Sequence, residues 1–271
     1  MTFFKCPVCG ESLKCENGVY ACYNRHSFDK ASAGYVNLLM SNSSSLKRHG
    51  DDKLMVRSRR DFLNGGYYEP LKTAVLNACK EFSFDGVSVC DVGCGEGYFT
   101  DGLKDALPKS AEIFGIDISK DALKYAAKRC KGVSFAVASA FLLPFFDASA
   151  DIILNIFAPC AYSEFSRVLK DGGVLIKAVP LSMHLWELKR ALYDEPYKNK
   201  PEITDPSFFE IKRTELKYEI TLDSKERIFE LFSMTPYFYK TSREDAQKLL
   251  SLEKLTTTVH FGVEIYKKGV K

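Results

Sequence analysis

The chain has 271 residues, 46% of them hydrophobic and 27% charged, values suited to one ordinary globular domain plus a small module, or to two small domains. Its 38 basic and 35 acidic side chains leave a formal net charge of only +3, so global charge does not demand a nucleic-acid partner and any basic surface must be local. The opening MTFFKCPVCG lacks the apolar core of a signal peptide and no run approaches the ~18 apolar residues of a membrane helix, so the nine cysteines read as thiols and metal ligands of a reducing cytoplasm rather than as disulfides.

Cys6-Pro-Val-Cys9 followed by Cys22-Tyr-Asn-Arg-His26 is a C-x2-C, C-x3-H constellation. Such tight pairs place four soft or borderline ligands around one tetrahedral ion, as zinc prefers, and four protein ligands make the site structural. Between the pairs, residues 13–20 read as a hairpin turning at Asn17-Gly18, with Cys15 a bystander. A module this small cannot bury a large core, so the metal must supply much of its stability. Residues 40–52, MSNSSSLKRHGDD, lose apolar periodicity and read as a linker in which His49 is simply exposed. Residues 53–64 read as a helix with Met55, Val56, Phe62 and Leu63 on an apolar face. Its Arg57, Arg59 and Arg60, with Lys47 and Arg48 before them, make either a solvated charged face or a patch for RNA phosphates.

The catalytic-looking part begins with a periodic helix from Leu71 and a β-branched run over residues 87–92, a strand buried on both faces. Asp91 interrupts it before Gly93, Gly95 and Gly97, and a helix-compatible segment follows up to Pro108. Strand, glycine turn and helix is how an open α/β sheet takes a nucleotide-like cofactor at the carboxyl ends of its strands. Tyr98 stands where a dinucleotide fingerprint needs its third glycine, and no Gly-Lys-Ser/Thr closes a phosphate loop. Asp91–Gly97 resembles the first motif, acidic-x-Gly-x-Gly-x-Gly, of the S-adenosylmethionine-dependent methyltransferases of the seven-stranded class, which implies an α/β, Rossmann-like sheet; a glycine-rich turn of some other α/β domain is the competing reading.

The second strand, residues 112–116, ends at Asp117, where an acid can accept both hydroxyls of an adenosine ribose; supporting the helix that starts near Ser119 is its other possible task. After the third strand, 133–138, Ser139 stands where many of the wider class place an acid for the adenine amine, leaving Ser139, backbone groups and Phe141 or Leu142 to hold the ring. The fourth strand, 151–157, carries Asn155, placed either to bond the ligand or the edge of the methyl acceptor, or to shape the turn before Pro159. A helix over 162–170 should stop at a glycine cap, Gly172-Gly173, before a fifth strand over 174–179. Residues 194–207, with three prolines and mixed charge, read as a surface excursion. Residues 210–222 and 257–266 read as closing strands, with helices over 225–232 and 242–250 between them.

Taken together, the zinc pattern, SRRDFLNGGYYEPL (58–71), PCAYSEFSRVLKDGG (159–173) and HLWELKRALYDE (184–195) resemble the bacterial 23S ribosomal RNA guanine-N1 methyltransferases. The resemblance implies zinc on Cys6, Cys9, Cys22 and His26, cofactor contacts from Tyr68, Gly95, Glu96 and His184, a hairpin-loop guanine of 23S rRNA as substrate, and a homodimer whose zinc modules flank an RNA groove. The expected organisation is a zinc-binding RNA-recognition module over 1–38, a linker and basic helix over 39–64, and a methyltransferase domain over 65–271. Guanine N1 carries a proton that must leave, yet no residue declares itself as the base. Two alternatives stand beside this reading. A small-molecule methyltransferase would not need the appended zinc module. A zinc-containing nucleic-acid-binding protein with an inactive methyltransferase fold would not need the complete glycine motif and Asp117.

Overall fold

The computed structural model describes residues 4–40 and 52–269. Lys47, Arg48, His49 and most of the expected linker lie outside the described residues. A three-stranded antiparallel sheet comes first: β1 (Lys14–Glu16), β2 (Val19–Ala21) and β3 (Ser27–Asp29). The β1–β2 turn falls at Asn17-Gly18, both at positive φ (50° and 81°), the conformation that a two-residue hairpin requires.

The main sheet has eight strands. In chain order they are β4 (Tyr35–Asn37), β5 (Ser88–Val92), β6 (Glu112–Asp117), β7 (Ser134–Val137), β8 (Ala150–Ile156), β9 (Leu169–Pro180), β10 (Phe208–Leu222) and β11 (Leu255–Lys268). Their spatial order is β10-β11-β9-β8-β5-β6-β7-β4. The seven strands from β5 to β11 are the expected α/β methyltransferase sheet. The eighth, β4, comes from the end of the metal-binding module and pairs in parallel with β7, Tyr35 to Asn37 against Phe135 to Val137. Phe4 adds a second attachment: its ring stacks on Phe145 at 5.7 Å and meets Phe114 edge-on, and the Lys5 amide donates to the Pro144 carbonyl. Cys6, Leu13, Tyr20 and Cys22 therefore share one core with Phe114, Phe145 and Phe165. Burying Phe4 alone stabilises this union by roughly 1.5–3 kcal/mol.

Helix α1 (Lys53–Asn64) is capped by the Asp52 carboxylate, which accepts from the Met55 amide, and buries Met55, Val56, Phe62 and Leu63. Helix α2 (Glu69–Glu81) starts with Pro70 in its first turn and buries Leu71, Val75, Ala78 and Cys79. After the short α3 (Leu103–Ala106), α4 (Lys120–Arg129) is capped by Ser119. Helix α5 is shorter than the sequence suggests, Tyr162–Val168, and Gly172-Gly173 is not its cap. The chain passes from Val168 directly into β9, which carries both glycines in a register shift against β8, Ala150 facing Leu169 and Ile152 facing Val174. The amides of Ala148 and Ser149, just before β8, have taken the Arg167 and Val168 carbonyls that a glycine cap would have served. Helices α6 (Trp186–Leu192), α7 (Lys225–Ser233) and α8 (Arg243–Leu250) complete the molecule, α8 capped at Ser242 as its sequence indicates.

Candidate active site and metal centre

Strand order reverses between β5 and β8, and a crevice opens there at the strands' carboxyl ends, where open α/β sheets bind ligands. It holds a cavity of about 390 Å³, within the range of small-ligand sites. The three glycines after β5 do different things. A Cβ on Gly93 would lie 2.3 Å from Ala158 Cβ, so this residue lets the loop touch the exit of β8. A Cβ on Gly97 would meet Cys130 and Ala126, so it lets the loop pack on α4. Gly95 has φ +56° and open space around the Cβ position, which leaves its backbone accessible from the cavity.

Tyr68, Gly93, Gly95, Glu96, Asn155 and His184 all line this cavity. Tyr68 is 3% exposed, wedged edge-on between Phe62 and Phe261, and its hydroxyl has no hydrogen-bond partner among the described residues. A buried, unpartnered hydroxyl facing a cavity suits a polar ligand. Glu96 is buried with Arg129 3.4 Å away, and burial raises its pKa. His184 lies 4.3 Å from the Phe261 ring, and its Nδ1 accepts the His260 amide. That bond leaves the proton on Nε2, and burial pushes the pKa down to about 3, so the imidazole is neutral.

The other four cofactor candidates stand outside the cavity lining. Asp91 lies beneath the loop, fully enclosed, where it accepts from Thr100 Oγ1 at 2.6 Å; burial raises its pKa to about 7 against that bond. Gly97 faces α4. Asp117 Oδ2 accepts from the Gly95 amide at 2.9 Å and Oδ1 from the Ser119 amide at 2.7 Å, so the carboxylate braces the loop and the α4 entry. Ser139 Oγ accepts from the Phe141 amide in a local turn, beside the exposed Phe141 and Leu142 rather than the cavity.

Residues not singled out from the sequence complete the cavity. Lys177 faces Asn155 in the β8–β9 register, and its Nζ donates to Tyr162 and to Glu202 Oε1, each at 2.9 Å. Burial opposes its charge, but these two oxygens outweigh it and hold the ammonium above its ordinary value. Cys160 Sγ lies 3.1 Å from Asn155 Oδ1 and 3.3 Å from Glu202 Oε1, which share its one S–H. Residues 194–207 are thus more than a surface excursion, since Glu202 pairs with buried Lys177 and Asn199 Oδ1 accepts from buried Lys189 at 2.6 Å. A lysine in the middle of the apolar run VLIKAV was the signal that could have found this cluster. Of the arginines on α1, Arg59 lines the cavity, Arg60 is held by Asp61 and the Tyr125 ring, and Arg57 is exposed beside Asp61.

At the other end of the chain, Cys6, Cys9, Cys22 and His26 bring their ligand atoms within 4.8 Å of one another. Cys9 and Cys22 sulfurs are 3.7 Å apart, and His26 Nδ1 is 3.7 Å from Cys6 and 3.4 Å from Cys22. A tetrahedron with Zn–S arms of ~2.3 Å has edges of about 3.7 Å, so the four residues fit one zinc ion. Cys15 stands apart, exposed on β1.

A methyltransferase domain model matches residues 83–231, and the model of the RlmA N-terminal zinc ribbon matches residues 4–44. The reversal at β5–β8, the glycine loop and these matches define a S-adenosylmethionine-dependent methyltransferase carrying a structural zinc site. A Bacillus subtilis (strain 168) protein with the provisional name 23S rRNA (guanine-N(1)-)-methyltransferase YxjB is 34% identical over 278 residues, covering 97% of this chain and 96% of that one. The 23S rRNA (guanine(748)-N(1))-methyltransferase of Streptomyces fradiae is 34% identical over 193 residues, covering 70% of this chain and 68% of its own. A malonyl-[acyl-carrier protein] O-methyltransferase of Hahella chejuensis matches only 38% of this chain, at 37% identity. The chain belongs to the RlmA-type family of 23S rRNA guanine-N1 methyltransferases.

Proposed function

We infer that this chain transfers a methyl group from S-adenosylmethionine to N1 of a guanine in 23S rRNA, and that this guanine lies in a hairpin loop. The observation that carries the reading is the joint presence of the Cys3His centre and the β5–β8 cleft in one chain, over the same length as a relative named for that activity. A small-molecule methyltransferase accounts for the cleft alone.

When bound, S-adenosylmethionine supplies a sulfonium methyl as electrophile and a good leaving group. The protein supplies alignment and a dry pocket. Gly93 and Gly95 let the donor lie against the loop backbone, Asp117 holds that loop and offers its carboxylate to the ribose, and Glu96 adds a second acceptor. Tyr68 and His184 close the side of the cavity against β11, each with one polar atom left to position a ligand. Asp91 and Gly97 serve from behind, by holding the loop in shape. Ser139 is assigned to the adenine end. The guanine must present its Watson–Crick edge, which an unpaired loop base does at least energetic cost.

Residues 1–38 are assigned to zinc binding and RNA shape recognition, 39–64 to the linker and basic helix, and 65–271 to methyl transfer. The family pattern supports a homodimer with its two zinc modules flanking the RNA. None of the nine cysteines is in a disulfide, which supports a cytoplasmic setting, and among the described residues no helix is long and apolar enough to cross a membrane.

The test is transfer of labelled methyl to 23S rRNA, compared with quinone and acyl-carrier-protein acceptors. Label recovered as 1-methylguanosine after digestion is the expected result. Transfer to a small acceptor alone would overturn the reading.

A further inference from the structure

We propose that Glu202 is the catalytic base that takes the N1 proton of the target guanine, and that Lys177 is the positioning residue that aims it. The assignment rests on the guanine-N1 reading above and identifies the residue that the sequence left unnamed.

The cavity has two ends. One is the glycine loop after β5, the cofactor end. The other, two strands away, is formed by Asn155 on β8, Lys177 on β9 and Glu202 from the loop that crosses them. An acceptor base entering opposite the donor meets this second end. Phe157 marks the way in: it lines the cavity, is 47% exposed, and holds a left-handed backbone (φ 54°), a strained state that clusters at active sites. Its open ring offers a stacking face for a purine.

The other titratable groups lining the cavity are unsuited to the task. His184 Nδ1 already accepts the His260 amide, so its other nitrogen carries a proton and has none to take up. Lys177 is a charged ammonium, and Arg59 is cationic. Tyr68, Tyr98 and Tyr237 are phenols and Cys94 is a thiol, and burial opposes the ionisation of all four. Glu96 is the other lining carboxylate, but it is 2% exposed, sits in the glycine loop and is engaged with Arg129. Glu202 is different on each count. Its side chain is 45% exposed. Oε1 accepts from Lys177 and Cys160, while Oε2 has no protein partner among the described residues. Lys177, 1% exposed and itself held by Tyr162, anchors Oε1, and Oε2 remains for a ligand.

This arrangement complements a guanine edge, which presents two adjacent donors, N1–H and N2–H, to a carboxylate. In the step, the N1–H bond breaks and its proton goes to Glu202. The freed N1 electron pair forms the N1–CH3 bond as the S–CH3 bond of the donor breaks, its electrons staying on sulfur. Glu202 then returns the proton to water, and N2–H remains as the contact that holds the product edge.

The experiment measures single-turnover methylation of a 23S rRNA transcript between pH 6 and 9, with donor affinity by calorimetry, for wild type, Glu202→Gln and Glu202→Gly. Glu202→Gln is expected to lower the rate by roughly 10²–10⁴-fold. Its residual rate should climb about tenfold per pH unit as hydroxide replaces the carboxylate, while donor affinity stays within about twofold of wild type. Added formate should restore part of the rate to Glu202→Gly, which a purely structural role would not allow. Lys177→Gln should lower the rate with donor binding intact. A Glu202→Gln rate within about threefold of wild type, with a parallel pH profile, would overturn the assignment alone; so would loss of donor binding in that variant, which would make Glu202 structural. A wild type that transfers no methyl to 23S rRNA would overturn the functional reading and this assignment with it.

Discussion

A Cβ built on Gly93 lands 2.3 Å from the Cβ of Ala158, so the cofactor loop and the exit of β8 touch with no room for a side chain between them. Gly93→Ala should therefore force the two apart and also place a side chain at φ +82°. The expected loss is about 1–3 kcal/mol of stability from overpacking, with donor affinity reduced at least tenfold. Gly95→Ala meets no atom, so it should cost only the strain of a side chain at φ +56°, about 1 kcal/mol, and lose donor affinity. Thermal unfolding and calorimetry on the two variants separate these outcomes; unchanged donor affinity in Gly95→Ala would assign the open space at Gly95 to no ligand.

Asp117→Ala removes the acceptor of the Gly95 and Ser119 amides as well as any bond to the ribose. The expected weakening of donor binding is about 1.5–3 kcal/mol, the scale of a hydrogen bond to a charged group. Calorimetry with S-adenosylhomocysteine reads it directly, and unchanged affinity would place the ribose elsewhere.

Two buried groups give the protein opposing acid responses. His184 is held near a pKa of 3, well below the ordinary 6.5, by burial first, with Lys189 adding to the effect. The unfolded chain takes up that proton first, so this contribution is intact above about pH 6.5 and is lost as pH falls towards 3, at about 1.4 kcal/mol per pH unit. Asp91 is raised to about 7 from 3.8 by burial, so the folded state is the one that holds this proton, and its contribution falls as pH rises from 4 to 7. Between pH 4 and 6.5 the two slopes offset. His184→Phe should expose the Asp91 slope, making the variant gain stability relative to wild type as pH falls from 6.5. Urea midpoints at pH 5 and 7.5 measure it; a difference independent of pH would mean His184 titrates normally.

The α1 arginines should divide by task. Arg57→Ala, at an exposed site, should lower the salt slope of 23S rRNA binding by roughly 0.7–0.9 and leave donor affinity alone. Arg59→Ala, at a cavity wall beside Glu96, should weaken donor binding. Affinities across a salt series for both variants test the division, and an unchanged slope for Arg57→Ala would make that face of α1 a solvated structural one.

Chelation of zinc, or Cys9→Ser, should lower the thermal midpoint of the entire chain in one transition, by several kcal/mol in stability. The reason is the common core of Cys6, Cys22 and Phe4 with Phe114 and Phe145. Two separate transitions in calorimetry would show that the module melts alone.

The catalytic strands were legible because each is a short β-branched run between turn residues, and the zinc ligands because tight cysteine and histidine pairs have few other uses. What escaped sequence reading depends on distant pairing. Tyr35–Asn37 is three residues long and becomes a strand only because β7 leaves an edge for it. Gly172 and Gly173 carry an ordinary helix-stop signal, but the Ala148 and Ser149 amides already take the helix-end carbonyls and the glycines fall in the register shift of β9. Glu202 looks like one more charge in a proline-rich loop until Lys177, twenty-five positions earlier on β9, supplies its partner. Glycine spacing located the loop but not the separate duties of its three glycines, which are set by Ala158, by open space and by α4.

The pairing of β4 with β7 has a bearing on how the chain behaves in a cell short of metal. An open sheet ends in two rows of unpaired amides and carbonyls, and each is a template for another chain. At the β10 end, Glu210, Lys212, Arg213, Glu215, Lys217 and Glu219 crowd the strand with charge. At the other end β7 reads Ser-Phe-Ala-Val, with nothing charged to deter a neighbour, and its cover is a three-residue strand that leads out of the zinc ribbon. The ion therefore guards solubility: zinc starvation would bare an adhesive border and invite the chain to clump.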